Sequence, residues 1–387
     1  MRDQLLGGEV KDYDVATDAT PDDIRQLFGP NRTLGVGAAF GVMIVRGPRG
    51  VDPIEVATFR CDADYSDGRR PDSVSFSSPQ EDARRRDFTI NGIFYDPVTD
   101  QLVDYVNGQQ DLQDKIVRSI GDADKRLDED KLRMLRAVRF AATFNFQLDE
   151  ATARAISSRT EEIKLVSAER IGDELRRMMG KSSRLNAIQL LIDTRLMTVL
   201  LPEFDVDSDW PLSRGILSHL DSDRFSVTLA ACIHPIGERT DDLQTVIRDL
   251  SARWRLSNEE IRETSQLVRA EGLLRTAHQL AWSKVQPVLA GDLAQETMRL
   301  AAAIAAATGE TAGGIELCRE KLLLPIAQLD PPPLLTGEDL IQLGVPRGPV
   351  YKSILNLVRD RQLDGEIGSL DEAASLARRI WEESTGG

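Results

Sequence analysis

The stretch that most constrains this chain runs from residue 81 to residue 140 and alternates dense charge with apolar runs. Three charge groups stand in it: Arg84-Arg85-Arg86-Asp87, then Asp111, then Glu129-Asp130 with Arg133 three residues on. Phe88, Ile90, Ile93 and Phe94 follow the arginines at once in a strand-like run, so the arginines border a core rather than a solvated face. From Glu129 to Phe144, Leu132, Leu135, Val138 and Ala142 recur at helical spacing and define one buried face. Asp130 and Arg133 neighbour each other on another face of that helix. They are either an ordinary ion pair or an acceptor fixed beside a donor, which matches the amino group and ring nitrogen of cytosine or adenine. Uracil and guanine present the opposite order and would leave buried groups unpaired.

The length of 387 residues predicts two or three domains. Cys61, Cys232 and Cys318 lie far apart without a CxxC pair, which argues against a disulfide framework or a zinc site. No apolar run approaches the ~20 residues needed to span a membrane, and the start does not read as a signal peptide. The expectation is a soluble, cytoplasmic protein with no membrane association. A net charge of −15 disfavours a polyanionic partner. Between Lys125 and Arg184, however, 14 Lys and Arg face 10 Asp and Glu, and local excess governs a binding groove.

Near the start, Val10 to Ala16 alternates as a strand and carries Asp12 and Asp14 on one face. Two such carboxylates repel unless a cation lies between them. A short helix is predicted from Asp22 to Phe28. The stretches GVGAAFGVMIVRG and PIEVATFR read as two strands joined by a Gly-rich turn, followed by a polar loop from Asp62 to Ser73. After the turn at Asp96-Pro97 the pattern is helical throughout. In Glu169-Arg170-Ile171-Gly172-Asp173-Glu174-Leu175 the charged residues four apart read as structural braces. His234 precedes a proline in a chain with three histidines and reads as an ordinary core or surface residue. Pro331-Pro332-Pro333 marks a stiff linker, and Gly337, Gly344 and Gly348 divide the C-terminal segment beyond it into short helices.

RRDFTIN, DLQDKIVRSIG, EDKLRMLRAVRFAA and ERIGDEL stand in the order found in class II tRNA nucleotidyltransferases and bacterial poly(A) polymerases, and the chain resembles that family. The resemblance is strong over about residues 1 to 180 and weaker over the last fifty or so. It implies an α+β fold: a small nucleotidyltransferase (polymerase beta-like) sheet domain, then an all-helical neck, body and tail. The expected boundaries are 1–118 for the head, 119–176 for the neck, 177–327 for the body and 328–387 for linker and tail.

The function implied is template-independent addition of C and A to the tRNA 3′ end, with CTP, ATP and tRNA as partners and no protein partner expected. Asp12 and Asp14 would bind Mg²⁺ as the catalytic carboxylates. Glu55 is either a third metal carboxylate or a strand-edge glutamate. Arg85, Arg86 and Asp87 would hold ribose and phosphates, and Asp130 and Arg133 would read the base. Arg136 and Arg139 either support the triphosphate or pair with acidic neighbours.

The full-length loop from Asp62 to Ser73 favours an enzyme that also uses ATP. Gly35 to Gly41 lacks the arginines that poly(A) polymerases of the family tend to carry there, which favours CCA addition over that alternative. One departure points to a third reading, a non-catalytic RNA-binding relative. The family opens on Gly-Gly-x-Val-Arg-Asp, whereas this chain opens on Met1-Arg2-Asp3. Arg2 keeps its nucleotide-binding place, the two glycines that approach the triphosphate are absent, and the expectation is a head incomplete at its start, with the true protein beginning upstream.

Overall fold

The computed structural model describes residues 1–8, 13–62, 73–180, 183–240 and 242–385. These fall into two compact units, one of residues 1–202 with 252–255, the other of 203–251 with 256–387.

The first unit begins with α1 (Arg2–Leu5), β1 (Asp14–Thr17), α2 (Pro21–Phe28), β2 (Thr33–Gly37), β3 (Val42–Val45) and β4 (Ile54–Thr58). The strands form one sheet in the order β1-β4-β3-β2, with β1 parallel to β4 and the other pairs antiparallel. Thr20 starts α2 as a capping box with Asp23, with Pro21 in the first turn. Ile24 of α2 packs with Met43, Val45 and Val56 on one sheet face. Side chains alternate along each strand. Asp14, Ala16, Glu55 and Ala57 therefore share the opposite face.

The Gly-rich stretch is not one strand. It folds into the β2–β3 hairpin around a 3₁₀ turn, Ala38–Phe40, closed by Gly41 at φ 79°. That left-handed conformation suits glycine, and the sequence pattern had merged the two arms.

Next come β5 (Arg60–Asp62), β6 (Val74–Phe76), α3 (Pro79–Arg85), β7 (Ile93–Asp96) and β8 (Gln101–Asp104), the strands pairing as two antiparallel hairpins. Most of the Asp62 to Ser73 loop lies outside the described residues. The run after the triple arginine is not a single strand either. Thr89–Asn91 makes a 3₁₀ turn because the Thr89 hydroxyl donates to buried Asp111 at 2.6 Å, and the strand starts at Ile93. The core expected behind the arginines is present: Phe88, Ile90 and Ile93 are buried.

The helical part follows with α4 (Gly108–Asp114), β9 (Ile116–Val117), α5 (Ala123–Glu129), α6 (Arg133–Phe144), β10 (Gln147–Leu148), α7 (Glu150–Ser158), α8 (Ala168–Met179), α9 (Arg184–Asp193) and α10 (Met197–Leu200). It is not wholly helical, since β9 and β10 pair in parallel. The predicted continuous helix from Glu129 to Phe144 is also two helices. Asp130 is extended (φ −151°), and its Oδ1 accepts from the Leu132 N–H at 3.0 Å, a local bond that competes with helix continuation. Leu132, Leu135, Val138 and Ala142 are buried as their spacing requires.

In the second unit α11 (Val206–His219), α12 (Phe225–Arg239), α14 (Asn258–Arg275) and α16 (Ala294–Thr308) pack together. The intervening and following helices are α13 (Leu243–Trp254), of which residues 252–254 count with the first unit, α15 (Trp282–Leu289), α17 (Gly313–Leu322) and α18 (Ile326–Leu329). The last three, α19 (Gly337–Gln342), α20 (Val350–Leu363) and α21 (Leu370–Thr385), close over their own core of Leu340, Ile354, Val358, Ala373 and Ala377. Among the described residues no helix is long and apolar enough to cross a membrane.

One glycine explains part of a motif. A Cβ on Gly172 of α8 would stand 2.0 Å from the Trp254 carbonyl oxygen, whereas one on Gly272 of α14 would meet nothing within 4 Å. Gly172→Ala is expected to destabilise by about 1–3 kcal/mol through overpacking. Gly272→Ala is expected to stabilise by about 0.4–1 kcal/mol, because it narrows the unfolded ensemble. Denaturant midpoints of the two variants should therefore move in opposite directions.

Candidate active site

The parallel register of β1 and β4 sets Asp14 opposite Glu55. Both side chains are exposed on the sheet face that α2 leaves uncovered. Asp12, predicted to share this face, lies outside the described residues. Two carboxylates in register provide hard oxygen donors of the kind Mg²⁺ prefers, with room left for phosphate oxygens. Among the described residues no three His, Cys, Asp or Glu side chains are grouped to hold a metal.

The triple arginine turns back on its own helix. Arg85 donates to Asp82 Oδ1 at 2.6 Å and Arg86 to Asp82 Oδ2 at 3.1 Å, and the Arg86 guanidinium lies 4.5 Å from the centre of the Phe94 ring. The backbone becomes extended at Arg86. This aims Asp87 away from its neighbours in sequence and toward α6. There Arg136 donates to Asp87 Oδ2 from Nε at 2.9 Å and from a terminal nitrogen at 2.6 Å. Asp87 Oδ1 accepts from the Phe88 N–H at 2.8 Å and from the Asn91 amide at 2.9 Å. Burial alone would raise the Asp87 pKa, but the Arg136 charge and these hydrogen bonds outweigh it and hold the carboxyl below its usual value.

On α6, Arg139 donates to Glu174 of α8 at 2.5 Å, and Arg136 and Arg177 approach the same carboxylate at 4.0 and 3.6 Å. Phe140, which follows Arg139 in sequence, is 4% exposed. Its ring centre lies 4.8, 5.3 and 4.1 Å from the guanidinium carbons of Arg2, Arg136 and Arg139. Arg2 also donates to Asn91 Oδ1 at 2.5 Å. The structure thus brings Arg2, Asp87, Arg136 and Arg139 into one group.

Asp130 and Arg133 do not pair with each other. Arg170 of α8 donates to both Asp130 oxygens, at 3.1 and 2.7 Å. Arg133 donates to Glu129 at 2.5 Å and to the Arg126 carbonyl at 2.9 Å. The expected neighbour relation on one helix fails because Asp130 precedes α6. Arg170 and Glu174 do brace, but across elements rather than along α8. A carboxylate carries about four lone-pair sites and a guanidinium five N–H donors, so both side chains keep capacity for a further partner.

Asn91, Phe140, Asp82 and the Asp130–Arg170 contact were not singled out by the sequence. Asn91 closes RRDFTIN and Phe140 follows Arg139, so both sat inside recognised stretches. The pairing of residues 130 and 170 had no local signal. Asp111 accepts from Thr89 and Arg118 within the fold, a structural role. His234 is buried with Glu271 and Glu238 at 3.4 and 3.6 Å, and burial pulls its pKa down, as suits a core histidine.

Residues 1–118 match the family model described as the Poly A polymerase head domain, and 145–207 match the probable RNA and SrmB-binding site of polymerase A. The chain is 32% identical over 374 residues to a CCA-adding enzyme of Geobacillus thermodenitrificans, covering 95% of this chain and 88% of that protein. With a CCA-adding enzyme of Lactobacillus helveticus the identity is 42% over 198 residues, 51% of this chain and 48% of that one. The crystal structure of the Bacillus stearothermophilus CCA-adding enzyme in complex with CTP superposes with a TM-score of 0.74 at 27% identity, covering 100% of this chain and 93% of that one.

Asp87→Asn is expected to cost on the order of 1.5–3 kcal/mol at neutral pH, the worth of hydrogen bonds to a charged group. Because the folded pKa is depressed, that stability is present above the unfolded value of 3.8 and is lost as pH falls through the folded one. The gap between wild type and variant in a denaturant series should therefore close below about pH 4.

Proposed function

The chain belongs to the CCA-adding enzyme family of nucleotidyltransferases, and we propose that it extends the 3′ end of tRNA with C and A from CTP and ATP. The observation that carries this reading is the register of Asp14 with Glu55 on an open sheet face, in a unit that also carries the Arg2, Asp87, Arg136 and Arg139 group. Asp12, Asp14 and Glu55 would hold Mg²⁺, which when bound supplies activation of the RNA 3′-hydroxyl and neutralisation of triphosphate charge. The 3′-oxygen attacks the α-phosphorus, and the bond to the bridging oxygen breaks to release pyrophosphate.

Arg136 and Arg139, held by Asp87 and Glu174, present fixed positive charge to the phosphates without reorganising during the reaction. Arg85 and Arg86 fix the turn that aims Asp87, and with Arg2 they add to the same positive potential. Asp130, oriented by Arg170, accepts from the base amino group while Arg133 donates to the ring nitrogen, a pattern that cytosine and adenine share. Cys61, Cys232 and Cys318 lie far apart in sequence without a CxxC pair, which supports a reducing, cytoplasmic setting. Open-ended addition of A is the alternative, and product length on a tRNA lacking its CCA end separates the two.

Asp14→Asn is expected to reduce labelled CTP and ATP incorporation by at least about a hundredfold with an unchanged circular dichroism spectrum. Glu55→Gln should raise the Mg²⁺ concentration for half-maximal incorporation. Equal activity of Asp14→Asn and wild type would remove the metal assignment. Arg133→Ala should narrow the preference for CTP over UTP by roughly tenfold or more, the weight of one lost polar contact to the base.

A further inference from the structure

The polar and aromatic contacts around Phe140 close on themselves. Arg2 donates to Asn91, Asn91 donates to Asp87, Asp87 accepts from Arg136, Arg136 lies against Phe140, and Phe140 lies against Arg2. Five residues from three separate parts of the first unit make one ring. Its members come from α1, from the turns flanking residues 87 to 91, and from α6. Arg139 adds a third guanidinium to the same phenyl group, and Phe144, stacked on Phe140 with ring centres 6.1 Å apart, also touches Arg2 at 4.6 Å.

Three guanidinium groups gathered on one side chain repel each other, and a hydrocarbon of the same volume would do nothing to relieve that. The negative face of an aromatic ring does, because its quadrupole attracts cations. Asp3, Asp87 and Glu174 each pair with one of these arginines, and each guanidinium keeps N–H donors beyond those its carboxylate takes. What results is a small, rigid centre in which one ring face and three carboxylates hold three guanidinium groups close together.

We propose that Phe140 and Asn91 are positioning residues for the nucleotide triphosphate: they hold Arg2, Arg136 and Arg139 in one cluster and so set the affinity for the phosphates of CTP and ATP alike. This rests on the proposed use of CTP and ATP. Neither side chain needs to touch the nucleotide. Phe140 acts through its ring face, and Asn91 acts by bridging Arg2 to Asp87. Because phosphates are common to both nucleotides, the ring governs how tightly either is held and leaves base choice to Asp130 and Arg133.

The test compares Phe140→Leu, Phe140→Trp, Asn91→Ala and the Phe140→Leu/Asn91→Ala double variant by calorimetric titration with CTP and with ATP, alongside incorporation into a tRNA lacking its CCA end. Phe140→Leu should weaken binding of both nucleotides by roughly fivefold or more, the scale of lost cation–π contacts. It should raise KM in step, with kcat and the CTP-over-UTP preference kept. Phe140→Trp, which retains an aromatic face, should restore most of the affinity. Asn91→Ala, a change outside the core, should give the same pattern. The double variant should be no weaker than the worse single one, because either change opens the same ring. Wild-type affinity in Phe140→Leu and Asn91→Ala, equal loss in Phe140→Leu and Phe140→Trp, or additive losses in the double variant would each overturn the proposal. The functional reading fails separately: a wild-type protein that binds CTP in this Phe140-dependent way but incorporates nothing would refute the activity and leave the ring standing.

Discussion

The contact on which the first unit depends is the ion pair between Asp87 and Arg136. Taking either charge out of water costs several kcal/mol on the order of magnitude of buried ions. That cost is offset because both Asp87 oxygens are hydrogen-bonded: Arg136 donates two N–H groups to one, and Asn91 and the Phe88 amide satisfy the other. The pair joins the segment that follows α3 to helix α6, 49 residues away. Asn91, Arg2 and Phe140 are all placed by reference to it.

The same economy of charge recurs around it. Asp82 serves both Arg85 and Arg86, Glu129 serves both Arg126 and Arg133, and Glu174 serves Arg139 with Arg136 and Arg177 nearby. When one carboxylate orients two guanidinium groups, the arginines become rigid without being neutralised. This reconciles a net charge of −15 with a function on nucleotides and RNA. The potential that a polyphosphate meets is local, and short-range fixed charge outweighs distant, screened charge.

The open face of the sheet has a complementary character. One face of β3 and β4 is buried under α2 through Ile24, Met43, Val45 and Val56. That leaves the other face free to display Asp14 and Glu55 side by side. An apolar residue at either position would extend the hydrophobic surface without a partner to cover it. The acidic face and the arginine group are thus opposite in sign, suited to a cation and to phosphates respectively.

Much of this was legible in the sequence, and the boundary between what was and what was not tracks the range of the forces involved. Periodicity determined the buried face of α6 and the core behind the triple arginine, because those depend on residues within a turn or two of each other. The strand breaks at Gly41 and Thr89 and the helix break at Asp130 were not legible. In each a positive φ or a single hydrogen bond overrides a continuing apolar pattern. The charged residues announced a site, but their partners could not be read from spacing: Asp130 takes Arg170 rather than Arg133, and Asp87 takes Arg136. Residue types alone determined that carboxylates and guanidinium groups would be concentrated here. Only the tertiary structure decided which of them pair, because an ion pair is selected by distance in space, and residues 87 and 136 or 130 and 170 become neighbours only when helices pack.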